Sequence, residues 1–285
     1  MARKRCIWKL KDREIQLGDR TLLMGVLNVT PDSFSDGGAL VDPDRAYAHA
    51  VRMEEEGADI IDVGAESTRP GSSRISEDEE LKRLVPVLKR LRGKLTIPIS
   101  VDTYKGAVAE RAIDLGAEII NDPSGLTWDP QVARTAALRD AGLVINHMRG
   151  TPDTWAKMPA FHEPAEHVVA DLRAAVHRAV RAGLDPARIV VDPGLGFGKR
   201  KEENSRLIAE LQMLAQLEVP ILAGPSRKSF LAQTEPEALL MATAAAVASC
   251  VLNGAHIVRV HDVKQMMPVV QVADAVARGR PEPRD

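Results

Sequence analysis

Cysteine is scarce in this chain of 285 residues: Cys6 and Cys250 stand far apart and make no metal-ligand spacing. There is no block of basic residues, and the net charge is −2, so nothing favours nucleic acid or a membrane surface as a partner. No run approaches the roughly 18 apolar residues of a membrane-spanning helix. The start, Met1-Ala2-Arg3-Lys4-Arg5, is basic, but no long apolar segment follows it as a signal peptide requires. A reduced, cytoplasmic setting is the expectation. The spacing of a nucleotide-binding Walker loop is also missing.

What is present is a long polar segment in an unusual place. Leu22-Leu23-Met24-Gly25-Val26-Leu27 is an apolar run expected to be a buried strand, and it empties into Asn28-Val29-Thr30-Pro31-Asp32-Ser33-Phe34-Ser35-Asp36-Gly37-Gly38. Short connections take about 2–6 residues, and longer ones are usually functional. Hard oxygen donors, hydroxyls and one isolated phenylalanine suit an anionic or metal-bearing ligand.

The rest of the chain repeats a strand–helix unit. Runs rich in Ile and Val predict parallel strands at Leu22–Val29, Asp59–Gly64, Pro98–Asp102, Glu118–Asn121, Leu143–His147, Ile189–Asp192, Pro220–Ala223 and Ile257–His261. Helical patterns lie between them, at Pro43–Glu56, Asp78–Leu91, Ala107–Leu115, Pro164–Ala182, Glu202–Leu217 and Leu239–Leu252. Gly57, Gly116 and Gly254 each end a helix just before a strand, where a left-handed residue closes the last turn. With 45% hydrophobic residues the chain can bury a large core. Eight such units predict an α/β fold, a single (β/α)8 or TIM barrel over residues 1–285. Residues 1–21 form an extension whose alternating segment Ile7–Leu17 is expected to be a β-hairpin capping the barrel bottom. An open doubly wound sheet would carry a glycine-rich first turn, and Asn-Val-Thr-Pro-Asp is not one.

In such a barrel, chemistry gathers where the strands end. The residues there are Asn28, Asp62 with Glu66, Asp102, Asn121 with Asp122, His147, Asp192, Ser226 to Ser229, and Arg259 with His261. Any one could be a helix cap, but eight strands ending alike point into one mouth. Buried acids at Asp102 and Asp192, with Asn121, would be satisfied by a flat heterocycle bearing N–H donors. Arg227, Lys228 and Arg259 suit an oxyanion and are expected on the opposite wall. The glycines of 192-DPGLGFGK-199 let backbone approach a flat ligand, with Phe197 available for stacking. His147 is expected to be a structural histidine.

At this point eight segments, in order, resemble one family: GVLNVTPDSFSDGG, GADIIDVGAESTRPGS, SVDTYK, IIND, NHMRGTP, DPGLGFGK, SRKSF and RVHDV, spanning residues 22 to about 265. They resemble the dihydropteroate synthases of folate biosynthesis, transferases that join p-aminobenzoate to 6-hydroxymethyl-7,8-dihydropterin diphosphate and release pyrophosphate. The resemblance implies that Asp102, Asn121, Asp192 and Lys228 hold the pterin, with Met148, Gly196 and Phe197 lining its slot. It implies that Asn28, Arg259 and His261 hold the pyrophosphate, Asn28 also reaching Mg2+. Phe34 and Asp36 in the first loop, and Thr68, Arg69 and Pro70 in the second, would close over the site, while Ser229 flanks p-aminobenzoate. Lys228, Arg259, Asp102 and Asp192 would carry the catalysis, by a dissociative, SN1-like alkyl transfer. Pairing into a homodimer is also implied, and Leu239–Leu252, apolar nearly all round, is the helix expected in that interface. Two departures stand out: Pro123 where the family favours an aliphatic residue, and a short connection over 231–236. The rival readings are a methyltetrahydrofolate–corrinoid methyltransferase barrel and a pterin-binding paralogue without turnover.

Overall fold

The computed structural model describes residues 3–30, 42–67 and 72–279. A hairpin of β1 (Cys6–Lys9) and β2 (Glu14–Leu17), in register Cys6↔Leu17, precedes the barrel. Eight parallel strands follow: β3 (Leu22–Asn28), β4 (Ile60–Gly64), β5 (Ile99–Asp102), β6 (Ile119–Asp122), β7 (Gly142–Asn146), β8 (Ile189–Asp192), β9 (Leu222–Ala223) and β10 (Ile257–Val260). They are ordered β8-β7-β6-β5-β4-β3-β10-β9, and a parallel bridge between Val191 and Ile221 joins the two ends. Around them lie α1 (Pro43–Glu55), α2 (Glu77–Leu91), α3 (Gly106–Asp114), α4 (Gln131–Leu138), α5 (Pro164–Arg181), α6 (Lys201–Ala209), α7 (Pro236–Leu252) and α8 (Val263–Arg278).

Local chemistry starts and stops these elements. Asp42 caps α1 by accepting from the Asp44 and Arg45 amides, with Pro43 as first helical residue. Ser76 caps α2, whose first turn holds Glu77, Asp78, Glu79 and Glu80 at the positive end of the helix dipole. Gly57, Gly116 and Gly254 have φ of +100°, +104° and +103°, as their place between helix and strand predicts. One expected helix is interrupted. After α6 the chain tightens into a 3-10 segment, Leu211–Leu217, whose buried Leu211, Leu214 and Leu217 recur every third residue, the period of a 3-10 turn.

The two-residue period of the strands divides the barrel interior by height. Its floor is apolar: Leu22, Met24, Ile60, Ile119, Val144, Val190, Leu222 and Ile257 pack with Trp8, Leu10 and Leu17 of the hairpin. Trp8 donates its indole N–H to the Arg188 carbonyl at 2.9 Å. Gly142 makes room for this plug, since a Cβ there would lie 2.4 Å from Leu10 Cδ2. The hairpin therefore closes the lower end, as expected. Two residues further along the same strands, the same side of the pleat carries Asp62, Asn121, Asn146, Asp192 and Arg259. The alternate residues, among them Val63, Val101, Ile120, Ile145, Val191 and Val258, join the larger core under the helices. A dry floor under a polar mouth is the frame for the site.

Candidate active site

Arg259, on β10, reaches across the mouth. Its Nε donates to Asp62 Oδ2 at 2.6 Å, and its Nη2 to Asp102 Oδ2 at 3.0 Å. Asn121 Nδ2 donates to the same Asp62 oxygen at 3.1 Å. Two glycines let the strand ends crowd together. A Cβ on Gly64 would sit 3.5 Å from Asp102 Cβ and 3.9 Å from Asn28 Oδ1, and one on Gly224 would sit 3.7 Å from Arg259 Cβ and 3.9 Å from Asp192 Oδ2. Asn28, Asp102, Asn121, Asp192 and Arg259 thus converge from five strands. The expectation of acids on one wall and cations on the other is corrected here: Arg259 lies among the acids, because a buried carboxylate needs a close positive partner.

The loops after β7 and β8 supply a second wall. Asp192 Oδ1 accepts from the Gly194 amide at 2.7 Å, and the Gly196 amide donates to Asn204 of α6 at 2.7 Å. The Lys228 ammonium lies 4.0 Å from the centre of the Phe197 ring, while Trp155 meets that ring edge-on at 5.6 Å. A Cβ on Gly196 would lie 3.1 Å from Lys228 Cδ. Met148 is partly buried beside His147, and Ser229 is exposed at the start of a short 3-10 turn, Ser229–Leu231. Ser226 Oγ lies 2.9 Å from His261 Nδ1 and accepts from the His261 amide at 3.2 Å, which fixes the imidazole two residues beyond Arg259. Phe34, Asp36, Thr68, Arg69 and Pro70 lie outside the described residues.

Arg227, expected beside Lys228, does not share its wall. It pairs with Asp262, Nε to Oδ2 at 3.0 Å, and its side chain is half exposed. Arg227 has φ of +55°, and its amide reaches Thr243 Oγ1 at 3.3 Å, so these contacts brace the short seventh loop. His147 is structural, as expected: it is buried, with Nε2 3.1 Å from Asp171. Burial pushes its pKa down to about 4. The Pro123 carbonyl accepts from Asn146, and Asp122 holds the turn through the Ser124 and Leu126 amides, each at 2.7 Å.

The groups in the mouth are electrostatically strained. Burial pushes Asp102 up to about 7 even though Arg259 pulls it down, with Asp62 adding to the rise. Burial likewise raises Asp192 to about 6, against the Gly194 amide and Lys228. Burial, together with Arg259, lowers Lys228 to about 8. Burial disfavours the Arg259 charge, but Asp62 and Asp102 outweigh it, and its pKa rises. Such a site is short of donors for its acids and would welcome a ligand offering N–H groups. Asp62, expected at a strand end but given no role there, and Lys199 also belong to the site. Asp62, fully buried, holds both Arg259 and Asn121, and its place two residues after inward-facing Ile60 is the signal that marks it. Lys199 contacts three backbone carbonyls of the two loops, and nothing in its sequence neighbourhood distinguishes it from a surface lysine.

The arrangement can be set beside known proteins. Residues 24–261 match the model of a family described as pterin binding enzymes. A dihydropteroate synthase from Synechocystis is 42% identical over 265 residues, covering 92% of each chain. Among solved structures, a Xanthomonas albilineans dihydropteroate synthase with 4-aminobenzoic acid superposes with a TM-score of 0.87 at 38% identity, covering 96% of this chain and 99% of that one. A Burkholderia cenocepacia dihydropteroate synthase complexed with 7,8-dihydropteroate gives 0.84 at 37% identity, covering 96% and 99%. With the eight strand ends gathered as these relatives' fold requires, and a match of this extent, the chain belongs to the pterin-binding enzyme family and, within it, to the dihydropteroate synthases.

Proposed function

We propose that the mouth of this barrel condenses 6-hydroxymethyl-7,8-dihydropterin diphosphate with p-aminobenzoate to give 7,8-dihydropteroate and pyrophosphate. The observation that carries this is the convergence of Asp102, Asn121 and Asp192 with Lys228 against the Phe197 ring, over a dry floor. Asp192 and Asp102 accept from the amino and ring N–H groups of the pterin, Asn121 meets its polar edge, and Lys228 donates to a ring acceptor. Phe197, Gly196 and Met148 line the faces of the slot. Asn28, Arg259 and His261 receive the diphosphate at the mouth. Ser229, exposed at the rim beside Lys228, flanks the arylamine, with Phe34, Asp36, Thr68, Arg69 and Pro70 closing from the two long loops.

The bond from the pterin methylene carbon to the diphosphate oxygen breaks, and its electron pair leaves with the pyrophosphate. Asp192 and Asp102, as carboxylates, favour the positive charge that the ring and methylene then share. Arg259 and His261 oppose the charge building on the departing oxygens, and such pre-positioned donors cost no reorganisation at that moment. The amine of p-aminobenzoate forms the new C–N bond and loses one proton. Excluding water matters, because water would capture the same carbon as an alcohol.

Magnesium fits this mouth as an ion that arrives with the diphosphate. Among the described residues, no three His, Cys, Asp or Glu side chains gather to hold a metal by themselves. Asn28 offers one hard amide oxygen, and Mg2+ is commonly bound by one or two protein oxygens plus phosphates and water. When bound, it supplies positive charge to the leaving group.

A second copy of the chain is the partner favoured by the exposed faces of α7 and α8. Met241 on α7 and Val272 and Val276 on α8 are 61%, 65% and 51% exposed. Val272 and Val276, with Ala248, Leu252, Pro268 and Val269, line an apolar groove between these helices. Apolar surface of this kind on paired helices is an interaction face, and a homodimer covers it symmetrically.

The direct test mixes the purified protein with the dihydropterin diphosphate and Mg2+, with and without p-aminobenzoate, and measures both products. Coupled appearance of pyrophosphate and dihydropteroate supports the reading. Tight pterin binding without either product supports the paralogue that lacks turnover, and no pterin binding refutes the site assignment.

A further inference from the structure

Lys199 is a partly buried lysine that the proposed chemistry does not use; burial pushes its pKa down to about 7, and the carbonyl oxygens around its Nζ favour the ammonium form. Its Nζ donates to Gly194 O at 2.8 Å, His147 O at 3.1 Å and Phe197 O at 3.2 Å. An ammonium has three N–H groups, so all three are taken by main-chain carbonyls. Its side chain makes no ion pair among the described residues, unlike Lys105, which is held by Glu66 and Glu80. The carbonyls come from two loops: His147 follows β7, whereas Gly194 and Phe197 follow β8.

Those loops meet backbone to backbone. A Cβ on Gly194 would fall 1.8 Å from His147 O, and one on Gly198 would fall 2.2 Å from Arg149 O. Three carbonyl oxygens within 3.2 Å of one Nζ put like dipole ends together, and positive charge at that point offsets their repulsion. The Phe197 amide donates to Gly194 O at 3.0 Å, so Lys199 also ties together the two ends of that turn. Asn204 holds the turn from below through the Gly196 amide.

We propose that Lys199 is a positioning residue for the pterin slot, an internal cation that locks the loops after β7 and β8 and so sets the plane of the Phe197 ring. It acts through Phe197 and does not touch substrate. The inference rests on the assignment of Phe197 and Asp192 to the pterin. Removing the charge frees the Phe197 carbonyl and lets the ring tilt, which loosens the pterin face and leaves the Ser229 side of the mouth untouched.

The test compares Lys199→Met, which keeps most of the side-chain length, with Lys199→Ala, in steady-state assays with each substrate varied in turn. The expected result is a rise of at least tenfold in KM for the dihydropterin diphosphate, with KM for p-aminobenzoate changed less than twofold. Propylammonium, the fragment that Lys199→Ala removes, should restore the pterin KM of that variant at least threefold and leave the wild type unchanged. An unchanged pterin KM in Lys199→Met overturns the proposal. Equal rises in both KM values, without rescue by propylammonium, overturn it too and make Lys199 a general stabiliser. Asp192→Asn, measured alongside, separates the two levels of argument. If that variant binds pterin normally, the slot assignment itself fails; if it loses pterin while Lys199→Met does not, only the positioning role falls.

Discussion

Asp192→Asn should make the protein more stable and a poorer pterin binder. Asp192 is only 7% exposed, and burial lifts its pKa from 3.8 to about 6. Because the folded-state value lies above the unfolded one, the stability this group contributes is complete below about pH 3.8 and is lost as the pH rises through about 6. A shift of about two units corresponds to roughly 3 kcal/mol at pH 8, at about 1.4 kcal/mol per unit. Asn matches the protonated acid in size and charge and still accepts from the Gly194 amide, so it escapes that cost at every pH. Differential scanning fluorimetry at pH 8 should show the variant melting on the order of 5–10 °C above the wild type. The gap should shrink to about half at pH 5, where the folded carboxyl is mostly protonated and escapes most of the burial cost. Titration calorimetry with the dihydropterin diphosphate, without p-aminobenzoate, should show the opposite sign. Loss of hydrogen bonds to a charged acceptor, worth about 1.5–3 kcal/mol, weakens affinity roughly 10- to 150-fold. A fall in melting temperature at pH 8 would refute the electrostatic reasoning, and unchanged affinity would remove Asp192 from the pterin.

The pH profile of kcat/KM for the pterin substrate should be bell-shaped. Activity is lost below about 6–7 as Asp192 and Asp102 take protons and above about 8 as Lys228 loses one, and Lys228→Arg should abolish the alkaline limb. Gly142→Ala should cost about 1–3 kcal/mol by urea unfolding, because the new methyl meets Leu10 and Trp8 in the plugged floor; an unchanged midpoint would mean the hairpin does not pack there. Val272→Asp, on the exposed face of α8, should give a monomer by sedimentation velocity at micromolar concentration where the parent sediments as a dimer.

The barrel was legible because its physics is local. An Ile/Val run seen against a glycine before it predicts a strand start, and all eight predicted strands fall within about two residues of β3–β10. The last residues of those runs also supply the polar mouth, since alternation puts Asp62, Asp102, Asn121, Asp192 and Arg259 on the inner face. Pairings between distant residues were not legible. Asp62 and Arg259 are 197 positions apart, and no spacing announces that they bond. Neighbours misled in the same way: Arg227 and Lys228 look alike in sequence, but Arg227 sits at positive φ and turns to Asp262, whereas Lys228 turns to Phe197. The break after α6 was hidden because Leu211, Leu214 and Leu217 suit a helix and a 3-10 turn equally.

The pairing of Arg259 with two acids changes how the mouth should be understood. A lone arginine beneath a diphosphate would swing with its ligand, and aligning it would raise the barrier during bond cleavage. Here Nε and Nη2 are committed to Asp62 and Asp102, so the plane of the guanidinium is set before substrate arrives. Two of its five N–H groups make those bonds, and the acids keep its charge in place across the working pH range. The cost falls on Asp102, which burial holds near neutrality until a ligand brings donors to it. On the proposed reading the pterin supplies those donors at the same moment that its diphosphate reaches Arg259. Pterin and leaving group are then coupled through one carboxylate, which favours the diphosphate ester over a free pterin or free pyrophosphate without any contact that recognises the bond between them.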